Sequence, residues 1–427
     1  MSSFLAATIG YSLYYVCRTS LNVVKEPILA SDALNATQLG AIGSTLLFAY
    51  AIGKFVNGFL ADHSNIKRFM ATGLIVSAVA NFLVALLGFA ETGTMLTSSA
   101  LFVSFAILWG INGWVQSAGS PSAIVSLSRW FPLNKRGTYY GFFSASHNLG
   151  EFLSFLFVGA IVSLAGWQFG FLGSSIAGAI GFLIIVFFLH DTPESKGLPP
   201  VQILAKESTD KKEDKSVRKT QIEVLKNPGV WVLAMASACM YVSRYAINSW
   251  GVLFLQEEKG FSLSQATQII SINALLGIIG TVFSGWFSDK LFRGKRNSPA
   301  LIFGILNTIA LILFIYGGNS LFMNVLSMVL FGIAIGVLIC FLGGLMAIDI
   351  VPRKASGAAL GVVGIASYAA AGIQDVVSGW LIDSGRTVTD DTTVYDFSSA
   401  AVFWILASVL SFLLPLLIWK NKHTNNQ

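Results

Sequence analysis

The chain has 427 residues, of which 54% are hydrophobic and 11% are charged, and its formal net charge is +6. Soluble globular proteins carry about 25% charged residues, so this composition excludes a soluble protein and indicates that lipid surrounds much of the chain. The positive charge does not indicate nucleic-acid binding, because the basic residues are concentrated in short segments between apolar runs, which is the pattern of membrane topology.

A helix needs about 20 mostly apolar residues to cross a bilayer. Twelve runs meet this requirement and predict an all-α membrane protein with twelve transmembrane helices. In chain order the predicted spans are 4–24, 38–61, 69–90, 98–128, 137–165, 168–189, 229–254, 264–288, 299–317, 320–348, 356–383 and 397–419.

The segments between the spans give the predicted orientation. Of the 27 lysines and arginines, only Lys25, Lys259 and Arg386 fall in loops on the side opposite the N-terminus. Because basic loops remain in the cytoplasm, we expect both termini to be cytoplasmic. A charged segment at 191–227 divides the chain into an N-terminal six-helix bundle at 1–190 and a C-terminal one at 228–427.

The two halves repeat each other at nearly constant spacing. Arg18 in the first span corresponds to Arg244 in the seventh, and Asp62 after the second corresponds to Asp289 after the eighth. The fifth and eleventh spans also begin with the same spacing of one proline and two glycines. These matches predict a duplicated six-helix unit, with the two bundles related by a pseudo-twofold axis.

Two arginines within spans carry the main functional signal. Arg18 and Arg244 each lie beside tyrosines inside an apolar run, where a charge costs about 2.5–3.5 kcal/mol on insertion scales. One interpretation is that both side chains reach toward the membrane interface. The other is that they meet near the midplane and bind an anion, for which the planar guanidinium suits phosphate.

Other polar and aromatic residues within spans are candidates for the same pocket. His147 is interpreted as a phosphate donor or a proton acceptor, against the alternative of a structural histidine. Lys54 is either a phosphate partner or an ion pair with Glu151 or Asp375. The aromatic candidates, which are alternatively packing residues, are Tyr14, Tyr15, Tyr241 and Trp250.

A conformational gate is predicted at the cytoplasmic ends of the spans. Asp62 and Asp289 end their helices beside basic loops, and we expect them to pair with the regions of Arg136 and Lys354. The alternative is ordinary interfacial charge. The sequence has no P-loop, zinc-ligand spacing or nucleophile elbow, so we expect a secondary carrier that is not an enzyme and needs no ATP, cofactor or metal.

Four segments of the sequence form a recognisable set: GYSLYY at 10–15 before Arg18, GKFVNG at 53–58, KRG at 135–137 leading to HNLG at 147–150, and YVSR at 241–244 leading to Trp250. In these segments the chain resembles the organophosphate:phosphate antiporter family of the major facilitator superfamily. The resemblance implies the major facilitator fold, with phosphate held by Arg18 and Arg244 and assisted by His147. The chain departs from family patterns at Ser249, Ala274, Leu360 and Val363, which leaves the substrate open.

The sequence therefore predicts a monomeric carrier in a bacterial inner membrane that exchanges an organic phosphate for inorganic phosphate by alternating access. Hexose 6-phosphate is the first expectation for the substrate and glycerol 3-phosphate the second. One alternative is a membrane sensor of external hexose phosphate that signals to a histidine kinase, since the family includes such proteins. Another is a proton-coupled carrier of a different anion.

Overall fold

The computed structural model describes residues 2–92, 97–131, 133–199, 224–292, 296–351, 356–389 and 392–418. The chain forms two compact units: Met1–Leu34 with Thr45–Glu213, and Asn35–Ser44 with Asp214–Gln427. The second helix therefore belongs to the second unit up to Ser44 and to the first from Thr45 onward. Most of the predicted linker at 191–227 lies outside the described residues.

The regular elements among the described residues of the first unit are all helices. Its helices are α1 (Ser2–Ala30), most of α2 (Ala36–His63), α3 (Ile66–Thr92), α4 (Ser98–Gln116), α5 (Gly119–Trp130), α6 (Leu133–Leu153), α7 (Gly159–Ala165) and α8 (Trp167–Phe188). A π-helical stretch, Ser154–Val158, joins α6 to α7, and a short 3-10 turn, Pro193–Lys196, follows α8.

The second unit adds a small hairpin to its helices. Its helices are the start of α2, α9 (Pro228–Tyr245), α10 (Gly251–Glu257), α11 (Leu263–Leu291), α12 (Asn297–Tyr316), α13 (Leu321–Cys340), α14 (Met346–Asp349), α15 (Ser356–Ser384) and α16 (Ser398–Leu413). The π-helical stretches Ala246–Trp250 and Phe341–Leu345 join α9 to α10 and α13 to α14, and a 3-10 turn, Leu414–Ile418, ends the described chain. Strands β1 (Thr387–Thr389) and β2 (Thr392–Val394) pair antiparallel, with Thr387 opposite Val394.

The helices have the length and composition of membrane spans. Among the described residues, eleven helical segments are long and apolar enough to cross a bilayer. Helix α1 is more polar, but it has 29 residues. At about 1.5 Å per residue its length exceeds the roughly 30 Å thickness of the hydrocarbon layer, so α1 is the twelfth membrane-spanning helix. The prediction of an all-α, twelve-helix membrane protein is confirmed.

Small residues allow the helices to approach closely within each unit. In the first unit, a Cβ atom added to Gly178 on α8 would lie 2.7 Å from Cys17 Sγ on α1 and 2.8 Å from Ala78 Cβ on α3. In the second unit, a Cβ on Gly336 of α13 would lie 2.5 Å from the Gly277 carbonyl oxygen of α11. Membrane helices pack through such positions because lipid offers no hydrophobic force between helices, so contact depends on close van der Waals fit.

One predicted boundary is wrong. The first span was expected to end near residue 24, with Lys25 in a loop, but α1 continues to Ala30 and Lys25 is only 1% exposed. Pro27 lies inside this helix near its end. Lys259 and Arg386 do lie between helices, as predicted, the former between α10 and α11 and the latter before β1.

Candidate anion-binding site

Arg18 lies at the centre of α1 between two tyrosine rings of the first unit. Its side chain is 5% exposed, and its guanidinium carbon lies 4.1 Å from the ring centroid of Tyr50 on α2 and 5.3 Å from that of Tyr15. Rings at this distance attract a cation, by about 2 kcal/mol or more where water is excluded. The charge is therefore held in place inside the first unit.

Amide side chains fix the backbone of α1 next to Arg18. Asn81 Nδ2 on α3 and Asn112 Nδ2 on α4 both donate to the Cys17 carbonyl, at 2.9 and 3.1 Å. Gln116 Nε2 donates to the Tyr14 carbonyl at 2.8 Å. These bonds satisfy buried polar groups that would otherwise be costly in a low-dielectric interior, and they set the position from which Arg18 extends.

Tyr14 and Tyr15 have different roles in this unit. Tyr14 is fully buried, and its hydroxyl donates to the Met70 carbonyl at 2.6 Å, so it holds α1 against α3. Tyr15 contacts Arg18 on one side and the ring of His147, 5.8 Å away, on the other.

His147 is placed by tight packing of α6 on α1. Ser12 Oγ donates to the Ser146 carbonyl at 2.9 Å, and a Cβ atom on Gly150 would lie 2.6 Å from Tyr15 Cβ. His147 is half-buried, and the buried carboxyl side chain of Glu151 follows it by one helical turn. The structure thus brings Arg18, Tyr15 and His147 into one cluster.

Arg244 has a similar setting in the second unit. It is 4% exposed, and its guanidinium carbon lies 5.8 Å from the ring centroids of both Tyr241 and Tyr245 on the same helix. The π-helical stretch Ala246–Trp250 begins two residues later. Such stretches are frequent at functional sites because they interrupt the regular spacing of side chains.

The sequence reasoning missed Tyr368 on α15. Its ring lies 5.3 Å from that of Tyr241 at 70°, and Ser237 and Ser367 hydrogen bond at 2.8 Å in the same helix pair. Tyr368 therefore contacts the tyrosine that precedes Arg244 by three residues, as His147 contacts Tyr15. The spacing that separates Pro132 from Pro352, applied to His147, gives position 367. That position is one residue from Tyr368, so the repeat contained a signal for this tyrosine.

Trp250 is fully buried and donates a hydrogen bond to an aspartate side chain. Its indole Nε1 donates to Asp375 Oδ1 at 2.7 Å, and Ser249 Oγ donates to the same oxygen at 2.6 Å. Lys54 is exposed on α2, and its role as a partner of phosphate, Glu151 or Asp375 stays a prediction. Ser249 and Trp250 are thus two donors to Asp375 that the sequence reasoning did not identify.

The predicted gate remains a prediction. Asp62, Arg136 and Asp289 lie in helices α2, α6 and α11, but their side chains are not among those described, and Lys354 lies outside the described residues.

Each unit thus presents a buried arginine set among aromatic rings, with an imidazole beside one cluster and phenol hydroxyls in the other. A guanidinium offers parallel N–H donors and cannot lose its charge. Groups of this kind bind oxyanions such as carboxylate and phosphate by charge-assisted paired hydrogen bonds.

Comparison with known proteins agrees with this chemistry. The sequence profile of the Major Facilitator Superfamily matches residues 7–374. The probable hexose phosphate transport protein of Chlamydia trachomatis is 31% identical over 86% of this chain and 82% of its own length. The hexose-6-phosphate:phosphate antiporter of Escherichia coli is 31% identical over 86% and 80%. The membrane sensor protein UhpC of Salmonella typhimurium is 34% identical over 87% and 82%.

A solved structure with the same fold is a bacterial homolog of the human lysosomal transporter Spinster. It is 17% identical, with a TM-score of 0.77 over 99% of this chain and 98% of that one, and at this identity the likeness establishes the fold alone. The profile match and the sequence relatives establish the family. The chain belongs to the Major Facilitator Superfamily, a superfamily of membrane transporters, and within it to the organophosphate:phosphate antiporter family.

Proposed function

We propose that this protein exchanges an organic phosphate, hexose 6-phosphate first and glycerol 3-phosphate second, for inorganic phosphate by alternating access. The observation that carries the proposal is the pair of buried arginines, one in each unit, each set against tyrosine rings. Relatives whose names specify hexose phosphate transport and hexose-6-phosphate:phosphate antiport support the substrate class.

The arginine settings favour a doubly charged, multi-oxygen ligand. The rings beside Arg18 and Arg244 offset part of the cost of burying a cation, but they supply no opposite charge. A phosphoryl group brings negative charge and several acceptor oxygens, so it matches the guanidinium fork. His147 beside Tyr15 provides a further donor when its ring is suitably protonated.

We propose that the same charges make exchange one for one. A phosphoryl group bound to a guanidinium compensates its buried charge, so the loaded carrier converts between its two states faster than the empty one. Either an organic phosphate or inorganic phosphate provides this compensation. Only a loaded carrier then converts rapidly, and each outward step is matched by an inward one.

Tracer exchange in proteoliposomes tests the arginine assignment. Vesicles loaded with unlabelled phosphate take up labelled phosphate from outside, and we expect Arg18→Lys and Arg244→Lys each to lower the exchange rate at least tenfold. Lysine keeps the charge but loses the planar fork. Arg386→Lys is the matched control because Arg386 is exposed, and its rate should equal that of the wild type. Full exchange by either buried-site variant contradicts the assignment.

A membrane sensor is the second candidate, favoured by the 34% identity to the sensor protein UhpC over 391 residues. Net uptake of labelled glucose 6-phosphate into phosphate-loaded vesicles separates the two functions. A carrier accumulates the sugar phosphate and releases phosphate in equal amounts. A sensor that does not transport binds the sugar phosphate without accumulation.

We further propose that the protein lies in a bacterial cytoplasmic membrane as a monomer with both termini in the cytoplasm. The distribution of basic residues supports this orientation. Labelling of Arg386→Cys, but not of Lys67→Cys, by an impermeant thiol reagent in intact cells is the expected result.

A further inference from the structure

One side of α6 carries polar side chains that become more buried along the helix. Tyr140 is 49% exposed, Ser144 and His147 are half-buried, and Glu151 is 4% exposed. Their positions differ by four, three and four residues, so they share one side of a helix that has about 3.6 residues per turn. A polar face therefore runs along α6 from an exposed end to a buried end.

The other faces of α6 have different surroundings. Ser146 and Gly150 pack on α1, and the apolar side chains of Phe142 and Leu149 are exposed, as expected of residues that contact lipid. Polar and charged side chains within a membrane-spanning helix are costly, and they persist where they face other polar groups or a water-filled path. The polar face is therefore the part of α6 that is suited to contact with a solute.

The buried end of this face contains two polar atoms that lack a partner. Asn148 is 4% exposed and Ser154 is fully buried, and among the described residues neither Asn148 Nδ2 nor Ser154 Oγ has a hydrogen-bond partner. Buried polar atoms are nearly always bonded, because leaving them unpaired is costly. Glu151 lies three residues from each of them, and side chains at that spacing are neighbours on a helix. We call Asn148, Glu151 and Ser154 the α6 polar patch.

The patch continues from the anion-binding cluster of the first unit. His147 is adjacent to Asn148 in sequence and lies about one helical turn before Glu151, and its ring contacts Tyr15 beside Arg18. Four residues of helix rise about 6 Å. A solute whose phosphoryl group is bound by Arg18 and His147 thus has its remaining atoms within about one helical turn of the patch.

We propose that the α6 polar patch is a subsite for the hydroxyl groups of the organic phosphate. The carboxyl oxygens of Glu151 accept hydrogen bonds from hydroxyl groups, the amide nitrogen of Asn148 donates to them, and the hydroxyl of Ser154 does both. This inference rests on the proposed function and deepens it, because it names the residues that recognise the carbon skeleton of the substrate as polyhydroxylated.

Burial makes such a subsite selective. A phosphate ester that carries hydroxyl groups supplies partners for Asn148 Nδ2 and Ser154 Oγ. An alkyl ester of similar size covers the same atoms and leaves them unpaired, and sites built to bond a hydroxyl group reject analogues without one for this reason. The arginine clusters treat the two esters alike, since both carry the same phosphoryl group.

Displacement of labelled inorganic phosphate from the purified protein tests the subsite without any transport measurement. The competitors are glucose 6-phosphate and n-butyl phosphate, which has the phosphoryl group and no hydroxyl group on its carbon chain. We expect the wild type to bind glucose 6-phosphate at least about tenfold more tightly than n-butyl phosphate. This preference should fall about tenfold in Glu151→Leu, which removes two acceptor oxygens, and several-fold in Asn148→Leu, which removes one donor group.

The preference is a ratio of two affinities, so a variant that disturbs the whole pocket weakens both competitors and leaves the ratio unchanged. Asn324→Leu is the matched control for Asn148→Leu. Asn324 is also fully buried, with an amide oxygen that has no partner among the described residues, but it lies on α13 of the second unit, and its variant should keep the wild-type ratio. If Glu151→Leu does not fold, Glu151→Gln replaces the carboxyl group at nearly constant size and should lower the ratio several-fold.

Deoxy analogues of glucose 6-phosphate identify the hydroxyl group that contacts the patch. At least one analogue should bind the wild type several-fold more weakly than glucose 6-phosphate does, yet bind Glu151→Leu as tightly, a coupling that a merely structural residue does not produce. Equal binding of the first two competitors by the wild type, or a ratio unchanged in both patch variants, overturns the inference. A wild-type protein that binds no phosphate overturns the proposed function, and this inference with it.

Discussion

Replacing Asn81 with alanine should weaken phosphate binding although Asn81 does not belong to the predicted site. Asn81 is fully buried on α3. Its Nδ2 donates to the carbonyls of Cys17 and Ser77, at 2.9 and 3.0 Å, and its Oδ1 accepts from Ser20 Oγ at 2.9 Å. Two of these three bonds end on α1 within two residues of Arg18.

The size of the effect follows from these bonds. Side-chain hydrogen bonds between membrane helices contribute about 0.6 kcal/mol each on average, so loss of the two bonds to α1 should lower the free energy of unfolding of Asn81→Ala by about 1 kcal/mol. The Cys17 carbonyl keeps its bond from Asn112, so the helix does not detach. A looser α1 should cost Arg18 one of its paired bonds to phosphate, and about 1.4 kcal/mol corresponds to a tenfold higher half-saturation concentration.

The assay is phosphate exchange as a function of external concentration, together with thermal unfolding in detergent. Asn324→Ala provides the control: Asn324 is also fully buried, and its Nδ2 donates to the carbonyls of Gly318 and Ser320 at 3.2 and 2.9 Å. Asn324→Ala should lose about 1 kcal/mol of stability, the order of a net intramolecular hydrogen bond, with no change in half-saturation. If Asn81→Ala is destabilised but binds phosphate as the wild type does, then the amide bonds to α1 do not position Arg18.

Three further predictions test other parts of the structure. Tyr50→Leu removes the ring 4.1 Å from Arg18 and should lower the free energy of unfolding by about 2 kcal/mol, measured by thermal unfolding. Tyr368→Phe removes a hydroxyl from the ring that contacts Tyr241 and should raise the half-saturation for phosphate several-fold, whereas Tyr316→Phe, exposed on α12, should not. Burial lowers the pKa of Lys259, in the loop after α10, to about 8, although nearby Glu258 opposes the shift. Because the unfolded chain then holds more protons between about pH 8 and 10.5, stability should rise with pH across that window, and Lys259→Met should abolish this rise.

The fold was predictable from long apolar runs, and the two arginines were predictable because each is a single charge inside such a run. Hydropathy identifies spans through the sheer length of apolar sequence that a bilayer requires. A charge inside such a run is costly, so Arg18 and Arg244 stand out without any knowledge of their neighbours. The end of α1 was misjudged because a charged residue was taken as the sign of a loop. Lys25 is instead fully buried within the helix.

The partners of these arginines were less accessible to sequence reasoning because they depend on helix packing. Tyr50 and Tyr368 are ordinary tyrosines in apolar runs, and neither has a local feature that distinguishes it from a packing residue. Their roles come from the register of α2 and α15 against the arginine-bearing helices, and a sequence alone does not give that register. The amides that anchor α1 are equally inconspicuous, since Asn81 and Asn112 lie in separate helices and converge on one carbonyl only in three dimensions.

The π-helical stretch after Arg244 explains why the partners of Asp375 were not identified from the sequence. A regular helix repeats every 3.6 residues, and a π-helical turn takes up one more residue, so side chains beyond it face a different direction from the one that regular spacing predicts. Arg244, before the stretch, lies with Tyr241 and Tyr245, whereas Ser249 and Trp250, at its end, reach α15. One irregular turn therefore separates an anion-binding candidate from the two residues that hold a buried acid, and regular helical spacing would have placed those residues on a different face.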